Sequence, residues 1–302
     1  MRSLLLRVIF LAPFLAELGC GAVAPPQSQM PTGEAALARM KETFRCGNGI
    51  QAEAKIDQYG ERGRIRGDMM LFATRPANVR MDVFAPPPLS QAVATLATDG
   101  QKFSFANLPE HRYYYGPASS CAIALLTNVA IPGSALVDLL HGRAPLLRHQ
   151  AAAATLSWSG KGYYVVSFPS TRDAYEEVHL APRPDDWSKP WGEQRMRVLD
   201  VLVKQQGIVL YHAALDGHAA APMAKPRYDE TGEAAPIMPT GPTCDAEVPR
   251  RIHVEVPYRG DDVQFRYTSV EWNPPVEPTA FELERQQGLQ SVPVMCDDAK
   301  SR

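Results

Sequence analysis

From Arg64 onward the apolar residues of this chain recur at every second position. In Arg64 to Phe72, Ile65, Met69 and Leu71 share one face, with Arg64, Arg66 and Asp68 on the other. Asn78 to Phe84 repeats the pattern, with Val79, Met81 and Val83 set against Arg80 and Asp82. Such a period belongs to a strand with one face buried and one wet. Val93 to Thr98, Asp99-Gly100 and Lys102 to Ala106 read as a hairpin, because Asp-Gly suits the positive φ of a type I′ turn. Further runs follow at Thr155–Trp158, Tyr163–Phe168, Glu176–Leu180, Met196–Lys204, Ile208–Ala213, Ile252–Val256 and Val263–Trp272. Hairpin-length gaps containing Ser159-Gly160-Lys161-Gly162 and Gln205-Gln206-Gly207 separate them. Closely spaced, half-apolar strands predict an antiparallel meander that forms one large curved sheet.

Helices are expected at two places. Thr32 caps a helix whose Ala36, Leu37, Met40 and Phe44 share a face, and Cys46-Gly47-Asn48-Gly49 ends it. In mid-chain, Ala122–Val129 is apolar nearly all round. Ile131-Pro132-Gly133 follows, and Ser134 is read as the cap of a second short helix, Ala135–Leu140, that Gly142 stops. A sheet with one apolar face needs a cover, and these helices are the candidates. The fold class expected is α+β and β-rich: an unclosed antiparallel half-barrel of about 10–11 strands, with an N-terminal helix and a central helical plug on its concave face. The stretch 219–249, rich in Ala and Pro, reads as a surface excursion of a single domain spanning 32–298.

Arg2 and Arg7 flank a leucine-rich start, and Val8–Leu15 is apolar, too short to span a bilayer, which takes about 20 residues. Residues 1–19 read as an export signal. Leu18-Gly19-Cys20 resembles the lipobox of bacterial lipoproteins, departing from it in Glu17. The resemblance implies acylation of Cys20, a membrane anchor, and residues 20–31 as a proline-rich tether reaching roughly 35 Å at full extension. Gly21, where an inner-membrane retention signal would carry Asp in some bacteria, favours the outer membrane and a periplasm-facing domain.

The chain has five cysteines; setting Cys20 aside leaves four for an oxidising compartment. Of the three possible pairings, Cys244–Cys296 with Cys46–Cys121 is favoured, and four free thiols are the alternative. A formal charge of −2 excludes an electrostatic footprint for nucleic acid. No GxSxG, Walker loop, HExxH or SxxK motif occurs, so no enzyme or cofactor chemistry is indicated. The seven histidines are scattered without ligand spacing, no metal site is expected, and Asp185-Asp186 and Asp261-Asp262 read as solvated turns.

Several motifs together resemble the LolA/LolB-like lipoprotein-carrier superfamily. They are Gly67-x-x-x-Leu71, Arg75-Pro76-x-x-Val79-Arg80-Met81-Asp82-Val83, Thr98-Asp99-Gly100-x-x-Phe103, Tyr113-Tyr114-Tyr115-Gly116, Leu139-Leu140-x-Gly142-x-x-Pro145, and Asn273-Pro274-Pro275 to Phe281-Glu282-Leu283. The resemblance covers residues 34–296 and implies an unclosed barrel around helices, with an apolar cavity for acyl chains of lipoproteins or lipids. Phe103, Phe105, Tyr113, Tyr115 and Trp158 would line that cavity, with Leu125, Leu126, Val129, Leu136, Val137 and Leu140 as its movable lid. The same residues would equally make a filled core. A non-enzymatic carrier or acceptor is the first functional expectation. An envelope sensor or assembly factor that binds a protein partner is the second, and a lid stapled by disulfides would favour it.

Overall fold

The computed structural model describes residues 22–60, 63–86, 88–228, 234–277 and 279–295. The export signal, Cys20 and Cys296 lie outside these residues. Helix α1 (Gly33–Thr43) starts as expected, with the Thr32 hydroxyl accepting from the Ala35 N–H at 3.1 Å. Six strands then follow in sequence: β1 (Gly49–Gly60), β2 (Gly63–Thr74), β3 (Asn78–Phe84), β4 (Ala92–Asp99), β5 (Lys102–Asn107) and β6 (Arg112–Pro117). Helices α2 (Ser120–Thr127) and α3 (Gly133–Leu140) interrupt the strands. The chain continues with β7 (Thr155–Trp158), β8 (Tyr164–Pro169), β9 (Ala174–Pro182), β10 (Met196–Gln205) and β11 (Ile208–Asp216). Last come β12 (Ala219–Ala220), β13 (Glu247–Val248), β14 (Arg251–Val256), β15 (Asp261–Trp272) and β16 (Gln290–Pro293).

Fourteen strands form one curved, unclosed sheet in the order β16-β6-β5-β4-β3-β2-β1-β15-β14-β11-β10-β9-β8-β7. Every pairing is antiparallel except β16 with β6. The chain walks outward from β1 to β6 and crosses over through α2 and α3. It restarts at the far edge with β7 and walks back until β15 pairs with β1. The strand count exceeds the expected 10–11 because β1 and β16 were not foreseen and β6 was read only through its tyrosines. The β4–β5 turn also differs from a type I′ turn. Among its residues only Gly100 takes a positive φ, at 83°, while the Asp99 carboxylate accepts from the Gln101 and Lys102 N–H groups.

One continuous apolar cluster fills the concave face. Helix α1 packs on β7, β8 and β10, whereas α2 packs on β5 and α3 on β2 and β3, so each half of the sheet has its own helical cover. Helix α2 is capped by Ser119 and ends in a left-handed Asn128 at φ 57°. Helix α3 begins after Pro132 with no side-chain cap, so Ser134 lies within the helix and does not cap it.

Three expectations are corrected here. Cys46 is bonded to Cys244, with a Cα–Cα distance of 5.0 Å, so neither Cys244–Cys296 nor Cys46–Cys121 forms. Cys121 is disulfide-bonded as well, to neither of those two. The physical reason lies in the stretch 219–249, which is more than a surface excursion. It returns beneath the sheet: β12 pairs with β13, and the Trp272 indole donates to the Ala246 carbonyl at 2.9 Å. Ala246 and Val248 are buried there, which brings Cys244 to the end of α1. The third correction concerns the tether, because residues 22–30 lie docked along the β7–β8 edge. The Val23 N–H donates to the Gly160 carbonyl at 2.8 Å and the Val23 carbonyl accepts from the Trp158 indole at 2.8 Å. Met30 is buried under the Tyr164 hydroxyl. Ser28 is held farther along, by the Trp191 backbone N–H and the Gln194 amide.

Candidate ligand-binding site

Strand β5 turns Phe103 and Phe105 inward, where both are buried. Register across the β5–β6 hairpin decides what joins them. Phe105 stands opposite Tyr114, and Ser104 opposite Tyr115. Directly opposed residues share a face, so Tyr114 is the inward aromatic and stacks on Phe105 with ring centroids 5.8 Å apart. Tyr113 and Tyr115, expected in the cavity, point to the outer face. There they stack on each other at 6.1 Å, and the Tyr113 hydroxyl donates to the Leu283 carbonyl at 2.6 Å. Together with Arg285 and Ser291 they line an outer groove of about 530 Å³. Trp158 is also displaced from the expected set. It sits on edge strand β7, at the other end of the strand order from β5, packed edge-on against Tyr164 and Trp187.

The residues expected as a lid pack into the core. Leu126, Val129, Leu136, Val137 and Leu140 are buried against the sheet, and Leu125 is half-buried. They face Met69, Leu71, Met81 and Leu96 as well as the two phenylalanines within one cluster. The space an acyl chain would use is therefore filled by the plug. Methionines in such a wall are flexible enough to repack around a different occupant. The Tyr267 hydroxyl, donating to the Leu140 carbonyl at 2.9 Å, holds the end of α3 to β15.

A mouth lies beside this cover. A hollow of about 470 Å³ opens between α1 and residues 143–151, with Met40, Ala144, Leu146 and Leu147 as its apolar lining and Lys41, Arg143, Arg148, Glu34 and Asp138 around it. His149 closes one side, its ring stacked on Phe168 at 4.0 Å and its Nε2 3.1 Å from Glu34. Glu176 belongs to the same place. It is fully buried on the inward face of β9, and its carboxylate accepts from the Leu147 N–H at 2.7 Å while its second oxygen has no hydrogen-bond partner among the described residues. Burial pushes its pKa up to about 8, with the Leu147 N–H opposing in part. Burial also raises the acid of Asp138 and the phenol of Tyr211, the latter with help from the charges of Glu176 and Asp138. The hollow is thus backed by acids whose ionisation burial opposes.

Sequence reasoning missed Glu176 as a site residue, although its signal was present: an acid at the apolar phase of a strand, two residues before Val178 and four before Leu180. It also read the histidines as strand or surface residues. His141, however, is fully buried as the last residue of α3's turn, stacked on Trp272, and burial holds its pKa down to about 4. The acidic pairs are not solvated turns either, since Asp186 and Asp261 are buried and paired with Arg195 and Arg259.

No family model matches the sequence, and no curated protein matches it. Among solved structures, a DUF1329 family protein from Desulfovibrio piger superposes with a TM-score of 0.50 at 9% identity, over 85% of this chain and 98% of that one. A LolA superfamily protein from Nitrosomonas europaea gives a TM-score of 0.47 at 11% identity, over 83% and 98%. An outer membrane lipoprotein-sorting protein domain from Vibrio parahaemolyticus gives 0.43 at 9%, over 83% and 97%. At these identities the likeness concerns the fold. The fold, an unclosed half-barrel wrapped around helices, is the one shared with the DUF1329 family protein.

Proposed function

We propose that this protein is a lipid-anchored carrier or acceptor of the bacterial envelope that holds acyl chains of lipoproteins or lipids and performs no chemistry on them. The observation that carries the reading is the cover of the concave face. Two eight-residue helices, joined through Pro132, fill an apolar trough that ends beside an open hollow. Burial alone suffices for an acyl ligand, at about 0.8 kcal/mol per CH₂. Loading exchanges lid contacts for ligand contacts, so direction follows from the relative affinities of donor and acceptor. Cys46 does not staple α1 to the plug. The disulfide at Cys121 restrains the first turn of α2, so opening falls to α3 and the 128–132 link. Anchoring through Cys20 at the outer membrane, facing the periplasm, completes the reading.

A second reading, a sensor or assembly factor for a protein partner, draws support from the outer groove, where Tyr115 is 43% exposed beside Tyr113.

The test is native mass spectrometry with lipid extraction on protein purified from a bacterial envelope with Cys20 replaced. Acyl lipid near one per chain is expected, and Leu126→Arg is expected to remove it, because a charge in the trough costs far more than the lost contacts. A Tyr115→Ala control on the outer face should keep its lipid. A clean apo mass with no uptake of fatty-acyl probes would sink the carrier reading and leave the outer groove as the better site.

A further inference from the structure

The sequence contains four tryptophans. Trp272 is buried beneath the sheet, but Trp158, Trp187 and Trp191 all gather where the N-terminal segment is docked. Trp158 holds Val23 through its indole N–H, Trp187 packs on Trp158 with centroids 5.7 Å apart, and the Trp191 N–H donates to the Ser28 hydroxyl at 3.0 Å. Gln194 adds a bond to the Ser28 carbonyl at 2.9 Å. The segment is therefore fixed along this edge and cannot act as a spacer. Val23 is 45% exposed and Trp191 39% exposed on the surface that results. The β7–β8 turn beside Val23 carries Lys161, which is exposed and makes no ion pair among the described residues. Of the neighbouring acids, Asp186 is occupied by Arg195 and Lys189 and Asp185 by Arg183 and Arg195, while Glu193 is exposed.

We propose that this edge, formed by the docked 22–30 segment and the β7–β8 turn, is the face that the protein lays against its lipid bilayer. The inference rests on the anchor reading of Cys20, and the occupant follows from where the described chain ends. Cys20 lies two residues before Ala22, so an acyl anchor there is held within about 7 Å of Ala22. A bilayer that receives the acyl chains must then meet this edge directly. Indole rings, apolar in body with a polar N–H, are the side chains that settle at the headgroup level. Lys161 suits an anionic headgroup, which adds about 1 kcal/mol per cation near such a surface. The orientation of the half-barrel is thereby set by the docked segment, not left to a flexible leash.

The test uses the mature full-length protein, its acylation checked by mass, reconstituted in phosphatidylethanolamine–phosphatidylglycerol vesicles that contain a shallow-brominated phospholipid. Tryptophan emission is expected to be quenched, and Trp191→Phe is expected to lower the quenched fraction roughly twofold, since Trp191 is the most exposed indole. Lys161→Glu, which removes no fluorophore, should also lower it. Trp272 should remain unquenched throughout. Protein that is acylated and vesicle-bound yet unquenched would overturn the proposed face while leaving the anchor intact. Protein that carries no acyl group and ignores vesicles would overturn the anchor reading and this inference with it.

Discussion

Replacing Asn273 with alanine is expected to cost roughly 4 kcal/mol of folding stability, from four hydrogen bonds of one fully buried side chain lost at once. Asn273 is fully buried where β15 ends. Its side-chain oxygen accepts from the Asn48 N–H at 2.7 Å and the Gly49 N–H at 3.1 Å. Its amide donates to the Cys46 carbonyl at 2.9 Å and the Pro242 carbonyl at 2.7 Å. One side chain thus ties together the end of α1, the start of β1 and the returning 219–249 segment next to the Cys46–Cys244 bond. Asparagine also tolerates the left-handed φ of 54° that this corner requires, and alanine tolerates it less well. A loss of this size approaches the whole stability of an ordinary domain. Asn273→Asp is the sharper variant. It keeps the acceptor for Asn48 and Gly49 but turns an oxygen toward two carbonyls, so it should be almost as damaging at pH 7 and partly recover when the acid is protonated. Urea unfolding followed by the emission of the adjacent Trp272 measures both. A cost below about 1 kcal/mol would show that water replaces the amide without penalty.

The period-2 signal made β2, β3, β8 to β11, β14 and β15 legible, because their inward positions carry mostly Val, Ile, Leu, Met and Phe. The central strand β1, as long as any in the sheet, escaped. Its inward residues are Ala52, Ala54, Ile56 and Gln58, too small or too polar to stand out, and its outward Lys55 and Asp57 sit between them. Composition saw the apolar phase of β6 as Tyr113 and Tyr115. Three consecutive tyrosines carry no phase of their own, and only pairing with β5 shows that Tyr114 is the inward one. The disulfide and the docked segment escaped for another reason. Both depend on chain returning from a distance, 198 residues in the case of Cys46 and Cys244, and proline-rich stretches show no periodicity to betray where they dock. The two mid-chain helices were legible because short helices apolar nearly all round have nowhere to go except beneath a sheet.

The second large effect is electrostatic and concerns Glu176. Its folded-state pKa, pushed up to about 8 by burial, stands above the ordinary carboxylate value of 4.5. Between those values the folded protein holds a proton that the unfolded chain releases, so this group's contribution is full below the unfolded value and is lost as pH rises toward 8. The slope is about 1.4 kcal/mol per pH unit. From pH 4.5 to 6.5 the buried His141 and His218, both held down to about 4, act in the opposite sense, since the unfolded chain takes up their protons. The cleaner window is pH 6.5 to 8, where Glu176 should remove about 2 kcal/mol. Glu176→Gln keeps an acceptor for the Leu147 N–H and is neutral at every pH. It should match the parent near pH 4, exceed it by about 4 kcal/mol at pH 8, about 2 of which is gained between pH 6.5 and 8, and flatten the difference curve in thermal unfolding across the window. Equal slopes for parent and variant would mean that Glu176 ionises freely in the folded state. The consequence for loading follows from its place behind the mouth. An uncharged acid is compatible with an apolar ligand, whereas a carboxylate there must be desolvated to admit one. Acyl uptake by the parent is therefore expected to weaken above pH 8, and uptake by Glu176→Gln to stay level.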